Sequence, residues 1–334
     1  MNRAAIRTLL PLALVLLVGC VFNAGGVFFG WETHRAVLRT IAVHGILACG
    51  MTVVIVSGGI DLSVGSVLGL GAVSFALLTI VLAWPAALAV PAVLAIGLAL
   101  GAISGALIAR FRIQAFIVTL AAMAFARGLT KLLAGGKKVA RVDLPPIFDA
   151  LDANIWGGNV AIVTLVFAAV ALVSWIVLTR LELGRWLHAT GGNFEAARLA
   201  GVPTRVTLVL AYAFSGVLAA LAGICQAAQE RQGDPETGLG YELDAIAMVV
   251  LGGTHLSGGR GGVGLTVIGA LTLGYVQKIL SLNSYSSEAR LMLTGAILIA
   301  AVLFQRGAEI RKPQQPSSRS SASATDDVNS ARLP

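Results

Sequence analysis

The chain has 334 residues, of which 57% are hydrophobic and only 12% are charged, and its formal net charge is +8. Soluble domains carry about 25% charged residues, so this composition excludes a soluble domain and indicates a helical membrane protein. The basic residues fall between apolar runs and form no single stripe with interleaved aromatic residues, which excludes a nucleic-acid-binding surface.

Apolar runs long enough to cross a bilayer recur along the chain and predict an all-α, polytopic membrane protein with about ten transmembrane helices. The predicted spans are 5–22, 36–57, 64–83, 86–109, 113–133, 159–179, 206–228, 243–257, 262–282 and 289–305. The segment 243–257 is short and bounded by glycine pairs, so a broken or re-entrant helix is the alternative there. We therefore expect one transmembrane domain over residues 1–312, followed by a disordered tail over 313–334.

The N-terminal run combines a basic start at Arg3 and Arg7 with an apolar stretch that ends in Leu17-Val18-Gly19-Cys20. This order resembles a lipoprotein signal. Because no soluble domain follows it, we expect an uncleaved first span, with cleavage as the alternative.

Ten spans place both termini on the same side of the membrane. More Arg and Lys residues fall in the loops on that side than on the other, where Asp and Glu accompany the basic residues. The positive-inside rule therefore predicts an N-in, C-in orientation, which places residues 180–205 in the cytoplasm.

The segment 58–65, G-G-I-D-L-S-V-G, places a carboxylate between two apolar runs. A carboxylate at mid-bilayer costs about 2.5–3.5 kcal/mol on insertion scales, and the glycines indicate a helix break. Asp61 then caps the next helix by accepting from N–H groups near Ser63 and Val64, contacts a polar substrate, or lies in a cytoplasmic turn. The candidate substrate-pathway residues are Gly59, Asp61 and Ser63. Gly58 and Gly65 are interpreted as helix-break or packing positions.

Other glycines recur at helical spacing, as in Gly97, Gly101 and Gly105. No hydrophobic effect drives helices together in lipid, so such faces let two backbones approach closely. The ladder predicts a tightly packed bundle and does not by itself indicate transport.

The loop 134–158 is the longest on the predicted outer side. Its Gly-Gly and Pro-Pro pairs mark turns rather than a domain. It is a candidate docking surface for an external partner, with a simple connector as the equal alternative.

The basic segment 180–205 contains the most informative local pattern. Asn193 can cap a helix, Gly201 can end it in the left-handed conformation, and Pro203 prevents its continuation. The helix from Phe194 to Ala200 is about two turns long, which is marginal in isolation. We therefore expect this helix to be held in place by its flanking spans and bound by a soluble partner.

Within this helix, Glu195-Ala196-Ala197 followed by Gly201 resembles the E-A-A-x-x-x-G coupling loop of ABC importer permeases. In that family the loop helix sits in a groove of a cytoplasmic ATPase subunit, and Glu195 and Arg198 can alternatively pair with each other. The fuller pattern continues with I-x-L-P, which residues 211–214 do not match, so the resemblance is to the reduced loop of the monosaccharide branch. The implied coupling residues are Asn193, Glu195, Ala196, Ala197, Arg198 and Gly201.

A third motif runs from Tyr241 to Gly262 and includes L-G-G-T-H-L-S-G-G-R-G-G. Together with the segment 58–65 it resembles the ribose/xylose-type ABC importer permease family, within the branched-chain amino acid/monosaccharide permease superfamily. His255 stands where a smaller residue is expected. The glycine run lacks the Gly-Lys-Ser/Thr that holds phosphates, so we expect no ATP hydrolysis by this chain. The helix-break or packing glycines here are Gly252, Gly253, Gly258 and Gly259.

The resemblance implies a permease subunit of a binding-protein-dependent ABC importer that moves a monosaccharide or related polar solute across the bacterial inner membrane. Its implied partners are a separate ATPase subunit, an external solute-binding protein, and a second permease copy or a paralogue. The four histidines are scattered, so we expect no metal site, and we expect no cofactor and no enzymatic activity. The alternative is an ion-gradient-driven secondary transporter. Such a protein needs a series of ionisable residues within its spans, and Asp61 alone is weak support for one.

Overall fold

The computed structural model describes residues 3–310, and helices dominate that range. The helices are α1 Arg3–Val21, α2 Trp31–Val56, α3 Val64–Ala76, α4 Ala86–Phe111, α5 Ala115–Ala134, α6 Pro146–Asp152, α7 Ile162–Thr179, α8 Glu182–Gly192, α9 Phe194–Leu199, α10 Thr204–Glu230, α11 Tyr241–Leu251, α12 Val263–Leu282 and α13 Ser287–Ile310. A π-helical turn, Leu77–Val81, extends α3, and a short 3-10 turn, Val27–Phe29, precedes α2. The predicted all-α, polytopic fold is confirmed.

Seven of the described helices are long and apolar enough to cross a membrane. They are α2, α3 with its π-helical turn, α4, α5, α7, α10 and α12. Each matches a predicted span to within a few residues, because a long apolar run specifies a spanning helix without tertiary information. The total of about ten spans stays a prediction, and the predicted disordered tail 313–334 lies outside the described residues.

The predicted span 243–257 is wrong as a continuous helix. The helix α11 has 11 residues and ends at Leu251, before an irregular segment that reaches Gly262. Eleven residues rise about 16 Å, whereas the hydrocarbon core is about 30 Å thick. Positive φ angles such as +85° at Gly258 turn the chain through this segment, which agrees with the broken-helix alternative.

The helices α2, α3 and α10 form the centre of the bundle, and α4 packs against α10 backbone to backbone. A Cβ atom on Gly97 would lie 2.6 Å from the Ala220 Cβ, and one on Gly105 would lie 2.8 Å from the Val209 Cα. As the residue number increases along α4, the facing residue number decreases along α10. These two helices therefore run antiparallel. The predicted close packing of the glycine ladder is confirmed.

The segment between α5 and α7 contains more structure than the predicted turns. It includes α6 and a two-stranded antiparallel sheet, Asn154–Ile155 with Val160–Ala161. The ring of Phe148 on α6 packs against Phe75 on α3, with ring centroids 5.3 Å apart. This small layer therefore covers one end of the bundle.

Candidate functional site

The helix α9 has the local geometry that its sequence predicts. The Asn193 Oδ1 accepts a hydrogen bond from the Ala196 N–H at 2.9 Å, and Gly201 adopts a φ of +85° just after the helix. The helix ends at Leu199, one residue earlier than predicted. A cap and a left-handed stop therefore hold a six-residue helix at the end of the bundle opposite α6.

The two faces of α9 differ in what they contact. Phe194 packs against an apolar cluster formed by α2, α4, α5 and α10, and Ala197 is buried as well. Ala196 and Arg198 are exposed, and Leu199 is 79% exposed. Of the predicted coupling residues, Ala197 thus packs α9 against the rest of the chain, while Ala196 and Arg198 face outward. Leu199 was missed because the resemblance named only the motif residues.

Glu195 is engaged within the chain. Its Oε2 lies 2.8 Å from the Arg198 Nε, one helical turn away, and its Oε1 lies 4.0 Å from the Arg112 Nη2. The alternative interpretation, in which Glu195 and Arg198 pair with each other, is confirmed as geometry. All three side chains are at least half exposed, so these ion pairs add little stability on their own.

The helix α8 precedes α9 and was not predicted from the sequence. It spans Glu182–Gly192 and buries Gly184, Leu187 and Thr190. An acidic residue in its first turn suits the positive end of the helix dipole, and buried positions spaced by three and four residues follow the helical period. Those two signals could have revealed it. The helix connects the spanning helix α7 directly to α9.

Five glycines meet where α8 ends, and we call this group the glycine junction: Gly58, Gly191, Gly192, Gly258 and Gly259. The Gly259 N–H donates a hydrogen bond to the Val56 carbonyl at 2.9 Å. A Cβ atom on Gly191 would lie 2.7 Å from the Gly259 N and even closer to the Val56 carbonyl oxygen. A Cβ atom on Gly258 would lie 2.8 Å from the Gly58 Cα. The junction therefore joins the end of α8 to the chain breaks after α2 and after α11 through main-chain contacts.

The remaining predicted break or packing glycines lie elsewhere. Gly65 faces the carbonyl of Gly238, and Gly252 packs against α12, where an added Cβ would lie 2.9 Å from the Thr266 Cα. Gly253 has a φ of +87° at the start of the irregular segment. The structure therefore brings Gly58, Gly258 and Gly259 together and leaves Gly65, Gly252 and Gly253 outside the junction.

Asp61 lies in the break between α2 and α3 and is only 2% exposed. Its Oδ1 accepts from the N–H of Ser63 at 3.0 Å and from the Ser63 hydroxyl at 2.6 Å. Its Oδ2 accepts from the Ser215 hydroxyl of α10 at 2.9 Å. The predicted contact with the Ser63 N–H is present, and the link to Ser215 could not be read from the sequence. Gly59 and Ser63 are buried beside it, so none of the three predicted pathway residues presents an open surface here.

We expect an Asp61→Asn variant to keep nearly wild-type thermal stability and an Asp61→Ala variant to lose it. Asparagine retains an acceptor for Ser63 and offers an amide donor to the Ser215 oxygen, whereas alanine removes all three hydrogen bonds. A hydrogen bond contributes about 0.5–1.5 kcal/mol to stability, and leaving a buried donor unsatisfied costs about 1–3 kcal/mol. Thermal unfolding in detergent, followed by size-exclusion chromatography, measures the difference. Equal midpoints for the two variants would contradict this account.

Paired charges also lie at the opposite end of the bundle. The Lys138 Nζ lies 3.0 Å from the Asp234 Oδ2, and the Arg231 Nη1 lies 2.7 Å from the Asp149 Oδ1. Burial raises the pKa of Asp234, but the N–H of Glu236 and the Lys138 ammonium lower it more, so this pKa lies below its usual value. The carboxylate therefore stays ionised at neutral pH. The two pairs connect the loop after α10 to the loop after α5 and to α6.

Comparison with known proteins identifies the family. The sequence model described as "Branched-chain amino acid transport system / permease component" matches residues 33–302. Ribose import permease protein RbsC of Escherichia coli K12 is 39% identical over 298 residues, which cover 87% of this chain and 91% of RbsC.

Two further relatives come from the same organism. The L-arabinose transport system permease protein AraH is 40% identical over 300 residues, 87% of this chain and 88% of AraH. The inner membrane ABC transporter permease protein YjfF is 39% identical over 291 residues, 84% of this chain and 86% of YjfF. No solved structure matches the chain. Since the family model covers nearly all of the bundle, this chain belongs to the family of branched-chain amino acid transport system permease components.

Proposed function

We propose that the chain is the membrane-spanning permease subunit of a binding-protein-dependent ABC importer for a monosaccharide. Relatives that are named for ribose import and for L-arabinose transport match almost end to end, which supports the sugar class. The same names argue against the ion-gradient-driven alternative. The seven apolar helices and the bacterial relatives support a multi-pass location in the inner membrane.

The observation on which the proposal depends is the outward face of α9. Leu199 lies on α9, at the end of the bundle opposite α6, and is 79% exposed. Water contacts this side chain when no partner covers it. Burying a leucine side chain contributes about 1.5–3 kcal/mol, so a groove on a partner that covers it gains affinity. In this proposal the partner is the ATPase subunit, α9 is the coupling helix, and residues 180–205 are the cytoplasmic coupling segment of a transmembrane domain over 1–312.

The orientation follows from the charges around α9. The segment 180–205 carries four arginines, and basic residues favour the cytoplasmic side. They are Arg180, Arg185, Arg198 and Arg205. With the ten spans predicted from the sequence, both termini lie on the same side as this segment, and we place them in the cytoplasm. The opposite end, with its paired loops after α5 and α10, then faces the external solute-binding protein.

Transport by this proposal is a change between two states of the bundle. A second copy of the permease, or a paralogue, completes the pathway, and the separate ATPase supplies the free energy. Nucleotide binding in that partner favours one arrangement of α9, which biases the bundle between inward-open and outward-open states. The chain itself performs no hydrolysis in this proposal.

Replacing Leu199 with aspartate tests the docking face. We expect the Leu199→Asp variant to bind the ATPase subunit roughly tenfold to a hundredfold more weakly, which corresponds to the loss of one buried leucine. Affinity co-purification in detergent and ATP-dependent uptake of radiolabelled ribose into vesicles measure the effect. Arg185→Ala is the control, because Arg185 is exposed on α8 and pairs only with Glu182 at 3.3 Å among the described residues. Undiminished complex formation by Leu199→Asp would refute the coupling assignment.

A further inference from the structure

Three polar side chains meet between α2 and α11, within the membrane-spanning part of the bundle. The His44 Nε2 lies 3.6 Å from the Asp244 Oδ2. The ring of Tyr241 lies against the imidazole of His44, with ring centroids 4.2 Å apart and an interplanar angle of 37°. We call His44, Tyr241 and Asp244 the polar cleft. No part of the coupling assignment uses these residues.

The hydrogen-bonding capacity of the polar cleft is only partly used. The His44 Nδ1 lies 3.2 Å from the Thr40 carbonyl, to which it donates, and this leaves Nε2 directed at Asp244. A separation of 3.6 Å is too long for a hydrogen bond. Among the side chains that the structure describes, which exclude several on α13, His44 is the only one paired with the Asp244 carboxylate. Both groups therefore keep capacity for an additional polar partner.

The side chains of the polar cleft are partly exposed within the single chain. The side chain of His44 is 14% exposed and that of Asp244 is 21% exposed, although the residues of α2 from Gly45 to Val56 are all buried. Ionisable groups inside a membrane face the interior of a bundle or a water-filled cavity, because contact with lipid is costly. The partial exposure of His44 and Asp244 therefore fits an aqueous path beside α2 and α11.

More polar groups continue from the polar cleft toward the external end of the bundle. Glu230, the last residue of α10, accepts from Gln226 at 2.7 Å and from the Thr237 hydroxyl at 2.8 Å. Thr237 stands four residues before Tyr241 in the chain. Carboxylate, amide and hydroxyl groups thus follow one another between the external loop and the polar cleft.

We propose that the polar cleft binds the monosaccharide during translocation. The Asp244 carboxylate accepts from sugar hydroxyls, the His44 imidazole bonds a neighbouring hydroxyl, and the Tyr241 ring packs against the apolar C–H face of the sugar. Asp61 serves less well, because both of its carboxylate oxygens already accept hydrogen bonds and the side chain is buried. This inference rests on the proposed function as a sugar permease and locates its solute contact.

Transport kinetics of the complete complex test the proposal. The permease, its ATPase and its solute-binding protein are reconstituted in vesicles, and uptake of radiolabelled D-ribose and of L-arabinose is measured. Asp244→Asn and Tyr241→Ala should each lower uptake at least tenfold, while ATP hydrolysis stimulated by the binding protein stays within twofold. A parallel loss of hydrolysis would show a structural role and overturn the proposal, as would unchanged uptake.

A second histidine–tyrosine pair in the same chain provides the matched control. The His34 Nδ1 and the Tyr275 Oη lie 3.0 Å apart near the external ends of α2 and α12. Tyr275→Phe should keep wild-type uptake, because this pair lies outside the polar cleft. If the wild-type complex transports neither sugar, the proposed function fails, and that result differs from a variant that behaves like an active wild type.

Cysteine labelling tests the aqueous path without using transport. His44→Cys is made in a Cys20→Ser background, because the two remaining cysteines, Cys49 and Cys225, are buried. The background without His44→Cys reports any labelling of these two. A charged methanethiosulfonate should modify position 44, and saturating sugar should slow the reaction at least threefold. Val43→Cys, one residue away and buried, should stay unmodified. Absence of labelling at position 44, or labelling that both sugars leave unchanged, would overturn the proposal.

Discussion

A Gly191→Ala variant should lose ATP-driven uptake by about a hundredfold, whereas Gly192→Ala should transport like the wild type. An added Cβ at Gly191 would lie 2.7 Å from the Gly259 N and closer still to the Val56 carbonyl. Both obstacles are main-chain atoms that cannot rotate away, so the methyl group must push α8 off the glycine junction. An added Cβ at Gly192 has no neighbour within 4 Å among the described residues.

The two glycines form an unusually close control pair. They are adjacent in α8, and alanine improves helix propensity by about 1 kcal/mol at either position. A difference between the variants therefore reports the contact rather than the helix. We expect Gly191→Ala to remain in complex with the ATPase, because α9 is unchanged, and to hydrolyse ATP without moving solute.

Uptake and hydrolysis measured on the same vesicles decide this prediction. Tightly coupled transport by Gly191→Ala would show that motion of α9 reaches the membrane by another route. Loss of the complex itself would mean that α8 holds α9 in place and does not transmit its motion.

The second large effect is expected on stability. A Gly101→Ala variant should unfold in detergent several degrees below the wild type, because a Cβ there would lie 2.8 Å from the Tyr212 main-chain carbon and closer to its oxygen. Overpacking of a tight interface costs typically 1–3 kcal/mol, and here the backbones of α4 and α10 must separate. Thermal unfolding followed by fluorescence-detected size exclusion measures the shift.

Gly128 on α5 is the matched position for this experiment. It is also a helical glycine in a spanning segment, and an added Cβ there meets nothing within 4 Å among the described residues. Gly128→Ala should therefore unfold at or slightly above the wild-type temperature. A similar destabilisation of both variants would mean that glycine content, rather than the α4–α10 contact, sets stability.

Local chemistry explains which features the sequence predicts. The spanning helices are encoded by apolar runs of about 20 residues, and α9 is encoded by its cap at Asn193 and its stop at Gly201. Each of these signals lies within one continuous stretch of the sequence, so no contact with a distant residue is needed to recognise it. The segment 58–65 likewise indicates a chain break, because its glycines and carboxylate disfavour a continuous spanning helix.

Features that depend on distant residues could not be predicted. The partner of Asp61 is Ser215, which lies more than 150 positions away. The glycine junction brings together three separate segments, and its glycines in α8 resemble many others in a chain with 39 glycines. The pairing of His44 with Asp244 depends on how α2 meets α11, which no local pattern records.

The glycine junction also limits which residues can determine the choice of ATPase subunit. Its contacts are made by main-chain atoms, which are the same in every protein, so it cannot encode a preference for one motor subunit. Under the proposed coupling role of α9, that preference resides in its outward-facing side chains, chiefly Ala196, Arg198 and Leu199. Exchanging these α9 residues between two related permeases should exchange the ATPase subunits that they bind and leave the transported solute unchanged. Evolution could thus reassign energy supply and cargo independently within a single bundle.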